Sequence, residues 1–292
     1  MTRMYSMLCM FLFGVLSVSA IAADEKPAHG LWVWKKPPVV DAPQGAEKLL
    51  DFCQSQGVTE VYVSVSANGE VSQQAQLTHL INLLHRSHIR VEALLSSNNA
   101  DEAGAHREKL LDQVRAILQF NRSHGAEPFD GIHLDIEPQQ RPENKGAGNL
   151  KFLSGLVEAY RAVRTLAEPT HLTVNADIQK KLLEGTVAQR KMLLSSLPQL
   201  TLMLYELSSP KDGESVEKKK EKLQAESRKY LDMAYAGLSD PNLAKMMIGL
   251  RTPDYGKLLP GMLSILDETN RTNSHYAGWA EHSYNDYLKA EQ

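Results

Sequence analysis

Apolar residues along this chain recur at two spacings, one typical of strands and one typical of helices. Short runs rich in aliphatic and β-branched residues, such as 59–66 and 89–96, have the length and composition of strands. Between such runs, apolar residues such as Leu110, Val114 and Ile117 recur at helical spacing, which predicts amphipathic helices. Repeated along the chain, the pattern predicts eight strands and eight helices in strict alternation.

This alternation predicts an α/β fold, a single (β/α)8 TIM barrel over residues 23–292. The alternative is a doubly wound open sheet, which would usually carry a glycine-rich phosphate-binding turn after an early strand, and the sequence has none. Connections that leave strands are often long and polar, as at 36–44 and 139–149. Such loops lie at the C-terminal face of a barrel, so we expect the functional site there.

The first 22 residues have a different character from the rest of the chain. Arg3 is the only charged residue before Asp24, residues 8–18 form an apolar run, and 20–22 fit a small-x-small cleavage site. This pattern predicts a secretory signal peptide over residues 1–22 and a protein that is exported, either periplasmic or secreted. An uncleaved anchor is the alternative, but the run is short for a membrane span. No later segment is apolar enough to span a membrane.

Composition excludes some classes of partner. The formal net charge of the full sequence is -3 at pH 7, which gives no electrostatic footprint for nucleic acid or anionic lipid. The basic-acidic run at 218–222 is interpreted as the solvated face of a helix. We therefore expect no nucleic-acid partner.

The stretch 129–138, which reads FDGIHLDIEP, carries three ionisable side chains on one face of a predicted strand. Alternation places His133, Asp135 and Glu137 together and turns the aliphatic residues to the opposite face. Strands of a parallel sheet are buried on both faces, where ionisable groups are costly unless they are paired or functional. Same-face neighbours lie roughly 6.5–7 Å apart, so the two carboxyl groups can address one ligand.

These residues resemble the DGxxxDxE signature on strand four of glycoside hydrolase family 18, the chitinase-like barrels. Residues 203–206, with Met203 and Tyr205 on the sixth predicted strand, are similar to that family's Met-x-Tyr-Asp. Trp279, on the eighth predicted strand, stands where the family places the aromatic floor under the sugar. The three similarities occur on the expected strands of the predicted barrel.

The resemblance implies a role for each matching residue. Glu137 would protonate the leaving glycosidic oxygen, and Asp135 would orient a substrate N-acetyl group or hold Glu137 protonated. Tyr205 would bind the carbonyl of that acetamide. Two carboxyl groups with different tasks need environments that separate their pKa values. In this family the substrate's own acetamide is the nucleophile, so no enzyme carboxylate attacks, and no cofactor is expected.

The chain departs from the family pattern in two places. His133 stands where the family usually has another aspartate, and Leu95-Ser96-Ser97-Asn98 replaces the expected Ser-x-Gly-Gly. A histidine at this position would change the charge state of Asp135, and the missing glycines would alter the shape of the site. The resemblance is therefore that of a remote member.

Further candidate residues for substrate binding lie near the ends of predicted strands. They are His133, Met203, Asp177 and Arg251. Of Trp32 and Trp34 in the first predicted strand, at most one is expected to line the barrel.

The function predicted from these residues is hydrolysis of a glycan or oligosaccharide, one containing N-acetylhexosamine. Two alternatives stay open. One is a barrel that binds glycan without cleaving it. The other is a metal-dependent hydrolase that uses His133, Asp135 and Glu137 as ligands. Metal-dependent barrels usually draw ligands from several strands, so we expect no metal.

Overall fold

The structure is a computed structural model that describes residues 27–65, 67–145, 150–205 and 214–290. The predicted signal peptide, residues 1–22, lies outside the described residues. Among the helices of the described ranges, none has the length and apolar character needed to cross a membrane.

The described chain alternates strands with helices. The strands are β1 (Ala28–Val33), β2 (Glu60–Ser64), β3 (Ala67–Asn68), β4 (Glu70–Val71), β5 (Arg90–Ser96), β6 (Gly131–Asp135), β7 (Thr173–Gln179), β8 (Gln199–Met203), β9 (Lys245–Arg251) and β10 (Tyr276–His282). The helices are α1 (Pro37–Val40), α2 (Gly45–Gln56), α3 (Gln74–His85), α4 (Ala105–Ser123), α5 (Leu153–Ala167), α6 (Val187–Leu194), α7 (Val216–Tyr235), α8 (Thr252–Tyr255), α9 (Leu259–Asn270) and α10 (Tyr284–Ala290).

Eight parallel strands close into a barrel in the order β1-β10-β9-β8-β7-β6-β5-β2, with β1 pairing β2. The predicted (β/α)8 barrel is thus confirmed. The small antiparallel hairpin of β3 and β4 was not predicted, because its two strands have only two residues each.

The alternation of elements predicts one helix over residues 180–196, but the structure has two separate segments there. Residues Lys180–Glu184 form a 3₁₀ helix, and α6 begins only after Thr186. Thr186 accepts a hydrogen bond from the backbone of Gln189, and the Gln189 side chain accepts one from the backbone of Thr186. This capping box satisfies backbone donors at the first turn and fixes the start of the helix at Val187.

Two cores lie on the two sides of the barrel wall. The outer core packs aliphatic residues such as Ile132 and Leu134 against the surrounding helices. The inner core fills the barrel with Trp32, Tyr62, Leu94, Met247 and Ala280. Trp32 lies against Gly249, where an added Cβ would be only 3.0 Å from the indole ring. The fully buried indole therefore favours glycine at this position of β9, because a larger residue would have to displace the ring slightly.

The start of β6 is fixed by a carboxylate at its N-terminal end. Asp130 accepts hydrogen bonds from the Val91 backbone N–H at 2.7 Å and from His85 at 2.9 Å. It therefore aligns β6 with β5, where His133 pairs with Leu94 and Asp135 with Ser96. Asp130 thus lies at the N-terminal end of β6, whereas Asp135 lies at its C-terminal end.

Candidate functional site

Two carboxyl groups lie at the C-terminal end of β6. Asp135 is the last residue of the strand, and Glu137 follows two residues later on the same side of the chain. Asp135 is buried and Glu137 is half-buried. The Glu137 Oε1 atom accepts hydrogen bonds from Gln179 at 2.6 Å and Gln139 at 3.1 Å, and Oε2 accepts one from Gln140.

The surroundings of this pair favour the neutral form of both groups. Burial raises the pKa of Glu137, and the Asp177 charge adds to this, whereas the glutamine donors lower it. Burial also raises the pKa of Asp135 well above its usual range, and the charges of Asp177 and Glu137 add to that effect. The Asp135 Oδ1 atom is buried without a hydrogen-bond partner in the described part of the chain. Asp135 thus has the surroundings of a carboxyl group that keeps its proton.

His133 lies beneath the pair, fully buried in the barrel. Its Nε2 lies 2.8 Å from Asp177 Oδ1, its Nδ1 lies 3.2 Å from Glu92 Oε2, and its ring stacks on Tyr62 with centroids 3.8 Å apart. Burial lowers the pKa of His133, but the Asp177 and Glu92 carboxylates outweigh it and raise the value to about 10. At neutral pH the ring is therefore an imidazolium that donates to both carboxylates.

The expected substrate contacts of His133 and Asp177 do not hold. Asp177 is also buried, and its Oδ2 accepts a hydrogen bond from Trp32 Nε1 at 3.0 Å. Both nitrogens of His133 and both oxygens of Asp177 are therefore engaged within the protein. The two residues support the site from below.

Aromatic and imidazole rings form the opposite side of the site. The ring of His282, at the end of β10, lies 5.4 Å from that of Tyr205 and 5.8 Å from that of Trp34. The Tyr205 hydroxyl, Trp34 Nε1 and His282 Nδ1 are buried and have no hydrogen-bond partner within the described residues. Burial raises the pKa of the Tyr205 hydroxyl, and the charges of Asp177, Asp135 and Glu137 add to this, so the hydroxyl lies near the carboxyl pair.

Trp279 lies outside the barrel interior, contrary to its expected place under a sugar. It belongs to the outer core and stacks on His29 with centroids 4.1 Å apart. The reason is the alternation of β10: its neighbour Ala280 faces inward, so Trp279 faces the helices. His282, two residues after Ala280, has the inward position at the end of the strand. The expectation for the first strand was also wrong, because Trp32 and Trp34 are two residues apart and both face inward.

The two remaining predicted residues end neighbouring strands. Arg251, the last residue of β9, donates to Asp254 at 2.7 and 3.1 Å, and its charge acts on Tyr205 and His282. Met203, the last residue of β8, is buried and pairs with Gly249. The structure thus brings Asp135, Glu137, Tyr205, Arg251 and Met203 to one end of the barrel.

Four residues of the site were not assigned to it by the sequence analysis, and all lie on inward positions near predicted strands. They are Glu92, Gln179, Trp34 and His282. Strict period-two counting identifies two of them, because Gln179 follows Asp177 by two residues and Trp34 follows Trp32 by two. The other two required knowledge of which residues face each other across the barrel.

The geometry does not favour a metal ion at His133, Asp135 and Glu137. Both imidazole nitrogens of His133 donate to carboxylates, so neither has a free lone pair to coordinate a metal. Within the described ranges, no group of three or more His, Cys, Asp or Glu side chains forms a candidate metal site.

Two cavities lie away from the carboxyl pair. One, of about 1110 Å³, separates the β3–β4 hairpin from α4, and the other, of about 750 Å³, lies at the N-terminal end of the barrel. Both are lined by charged residues of both signs, and none of the predicted site residues contributes to either.

Comparison with known proteins finds solved structures of two chitinases and of a spore cortex-lytic enzyme with a similar fold. No family model and no curated protein sequence matches the chain. A chitinase from Bacteroides thetaiotaomicron is similar in structure with a TM-score of 0.55 and 13% identity, over 90% of this chain and 93% of that one. A GH18 chitinase from Pseudoalteromonas aurantia gives 0.55 and 11%, over 90% and 98%.

The Bacillus cereus spore cortex-lytic enzyme SleL is also similar, with a TM-score of 0.51 and 13% identity over 77% of this chain. The match spans only 51% of the SleL chain, about half of its length. Identities this low are evidence about fold, and the fold is the one that the resemblance implied. The chain is a (β/α)8 barrel whose fold is similar to that of chitinases.

Proposed function

We propose that this protein is an exported glycoside hydrolase that acts on a glycan containing N-acetylhexosamine, with Glu137 as the general acid and Asp135 assisting. The observation that carries the proposal is the carboxyl pair on one side of β6, in which burial raises the pKa of both groups. A general acid must hold its proton at the working pH, and burial favours this for Glu137. The predicted signal peptide supports export.

In this mechanism Glu137 donates its proton to the glycosidic oxygen as the bond to the anomeric carbon breaks. The acetamide oxygen of the substrate attacks that carbon, and water then opens the resulting ring while the Glu137 carboxylate accepts the proton. The three glutamine side chains around Glu137 donate N–H groups that stabilise the carboxylate once the proton has left.

Unpaired polar atoms near the pair support recognition of an acetamide. The hydroxyl of Tyr205 and Nε1 of Trp34 are donors without partners in the described chain, and a buried donor strongly favours a ligand acceptor. The acetamide carbonyl is such an acceptor, and the unpartnered Oδ1 atom of Asp135 can accept a hydrogen bond from the acetamide N–H. The structural neighbours include two chitinases and a spore cortex-lytic enzyme, which supports the same class of glycan.

The test is hydrolysis of a fluorogenic N,N′-diacetylchitobioside and of a panel of N-acetylated polysaccharides by the wild type and Glu137→Gln. We expect the variant to lose roughly two to four orders of magnitude in kcat. Glu143→Gln is the matched control, because Glu143 is an exposed carboxylate in the loop that follows Glu137. Its rate should equal the wild-type rate. Equal rates for the wild type and Glu137→Gln would remove Glu137 from the mechanism.

A second candidate function is a barrel that binds glycan without cleaving it. The observation in its favour is that both oxygens of Glu137 already accept hydrogen bonds from glutamines. A binding site needs only hydrogen bonds and an aromatic face, and Trp34 can supply that face. Calorimetric binding of N-acetylated oligosaccharides, with no turnover over days, would favour this function over hydrolysis.

A further inference from the structure

A buried cluster of charges crosses three adjacent strands beneath the carboxyl pair. His133 on β6 lies between Glu92 on β5 and Asp177 on β7, and all three side chains are buried. The strand register orders them along the barrel axis. Glu92 pairs with Gly131, one inward position below His133. Asp177 follows Ala176, which pairs with Leu134, so Asp177 is level with Asp135.

Each carboxylate of this cluster has donors besides His133. Glu92 accepts from Asn175 at 2.8 Å and from Arg90 at 3.3 Å, and Asp177 accepts from Trp32 at 3.0 Å. Donors to every carboxylate oxygen fit the ionised form. The cluster therefore contains two carboxylates, the His133 imidazolium and the half-exposed Arg90 guanidinium, and its charges cancel.

Asp135 lies at the end of this cluster and receives none of its hydrogen bonds. The imidazolium attracts negative charge toward Asp135, while the neighbouring Asp177 carboxylate repels it. Two adjacent buried carboxyl groups do not both ionise readily. Because the N–H of His133 points at Asp177, the ionised member of the pair is Asp177, and Asp135 is left with the proton.

We propose that His133 and Asp177 form an ion pair that sets the charge state of the site, in which Asp177 cancels the His133 charge at Asp135 and so lets Asp135 keep its proton. Both are positioning residues, since neither reaches a substrate. The pair compensates for the histidine at a motif position where the resembled family has aspartate. The catalytic consequence, a neutral Asp135 that assists Glu137, rests on the proposed function. The cancellation of the His133 charge by Asp177 does not depend on that function.

The other titratable and charged groups near His133 come from several strands. They are Glu60 and Tyr62 on β2, Arg90 on β5, Glu137 after β6, Tyr205 after β8 and His282 on β10. Among these, the side chain of Tyr62 stacks on the imidazole and donates to Glu60, so it directs its proton away from His133. Asp177, which accepts the His133 N–H, and the adjacent Asp135 are the groups whose charge state depends on His133.

The test is a cycle of three variants, read by the ¹³C chemical shift of the Asp135 carboxyl carbon during a pH titration. Asp135→Asn assigns the signal. In Asp177→Asn the imidazolium acts on Asp135 unopposed, so the titration midpoint of Asp135 should fall by about one pH unit or more. In His133→Gln it should not fall. In the double variant His133→Gln/Asp177→Asn both charges are gone, and the midpoint should return toward the wild-type value.

The same cycle has a catalytic readout on the fluorogenic diacetylchitobioside. Asp177→Asn should lower kcat at pH 7 by roughly tenfold or more, with the optimum moved toward acid, and the double variant should recover activity. If the two residues had a purely structural role, the order of activities would be reversed, and the double variant would have the lowest kcat. Asp267→Asn is the matched control, because Asp267 binds His29 at 3.0 Å on the outer side of the barrel wall. It should leave the Asp135 signal unchanged.

An unchanged Asp135 midpoint in Asp177→Asn overturns the proposal, as does a double variant that titrates like Asp177→Asn. Asp177→Asn could fail to fold because it leaves the buried imidazolium with one carboxylate fewer. The double variant lacks both charges, so in that case its Asp135 titration midpoint is compared with the wild-type midpoint. A midpoint close to the wild-type value supports the proposal, and a clearly lower one overturns it. The titration needs no substrate. Lack of hydrolysis by the wild type therefore counts against the proposed function, and only the titration counts against the ion pair.

Discussion

The His133 imidazolium should make the stability of the whole fold depend on pH. Two buried carboxylates raise the pKa of His133 to about 10 in the folded protein, against an ordinary value of 6.5. A group whose pKa is raised by folding stabilises the folded state fully below its unfolded pKa. That contribution is lost as the pH rises through the folded value. The window for His133 therefore runs from about pH 6.5 to about pH 10.

The size of the effect follows from linkage. Within this window the folded state holds one more proton than the unfolded state, so the free energy of unfolding falls by about 1.4 kcal/mol per pH unit. Between pH 7 and pH 9 the loss should be about 2–3 kcal/mol, and the full contribution is at most about 5 kcal/mol. Because His133 is fully buried, solvent screening does not reduce the effect much.

The assay is urea unfolding followed by circular dichroism at pH 7, 8 and 9. His133→Gln has no proton to lose at this position, so its free energy of unfolding should fall less steeply over this range. His79→Gln is the control, since the His79 side chain is 62% exposed and should leave the wild-type slope unchanged. A His133→Gln slope equal to the wild-type slope would refute a buried imidazolium at this position.

Three further outcomes follow from the same structure. Burial raises the pKa of Glu281 to about 7, so Glu281→Gln should increase the free energy of unfolding at pH 8 by about 1–3 kcal/mol. Below pH 4.5 the wild-type carboxyl group is neutral in both states, so the variant should lose this advantage. Urea titrations at the two pH values measure both effects. Gly249→Ala places a methyl group 3.0 Å from the Trp32 ring and should cost about 1–3 kcal/mol in the same assay. Gln179→Leu removes a donor that lowers the pKa of Glu137, so the basic limb of the kcat/KM profile should move to higher pH.

The barrel could be predicted from sequence because its signal is local and repeated. Each strand and helix is short, periodic and bounded by polar turns, and a boundary error of a few residues leaves the count unchanged. The carboxyl pair could be predicted for the same reason, since Asp135 and Glu137 belong to one strand and its immediate continuation. Period-two alternation is enough to put them on one side.

The failures occurred where a side chain's direction or partner depends on neighbouring strands. The register of β10 against β9 shifts between Tyr276 and Gly278, so counting from the start of this strand does not give the direction of Trp279. The partners of His133 come from β5 and β7, at levels set by the stagger of the barrel. Neither fact is present in the local pattern of any single strand.

Which residue can occupy position 133 therefore depends on its partners on β5 and β7 as well as on the motif of β6. Aspartate at this position would place a third carboxyl group between Glu92 and Asp177, in a fully buried layer whose remaining cation is the half-exposed Arg90. Such a layer must take up protons or lose stability. The histidine is compatible with the barrel because Glu92 and Asp177 are present together. In related barrels the residues at these three positions should thus change as a set, and a search that scores the strand-four motif alone should miss sequences that carry the histidine form.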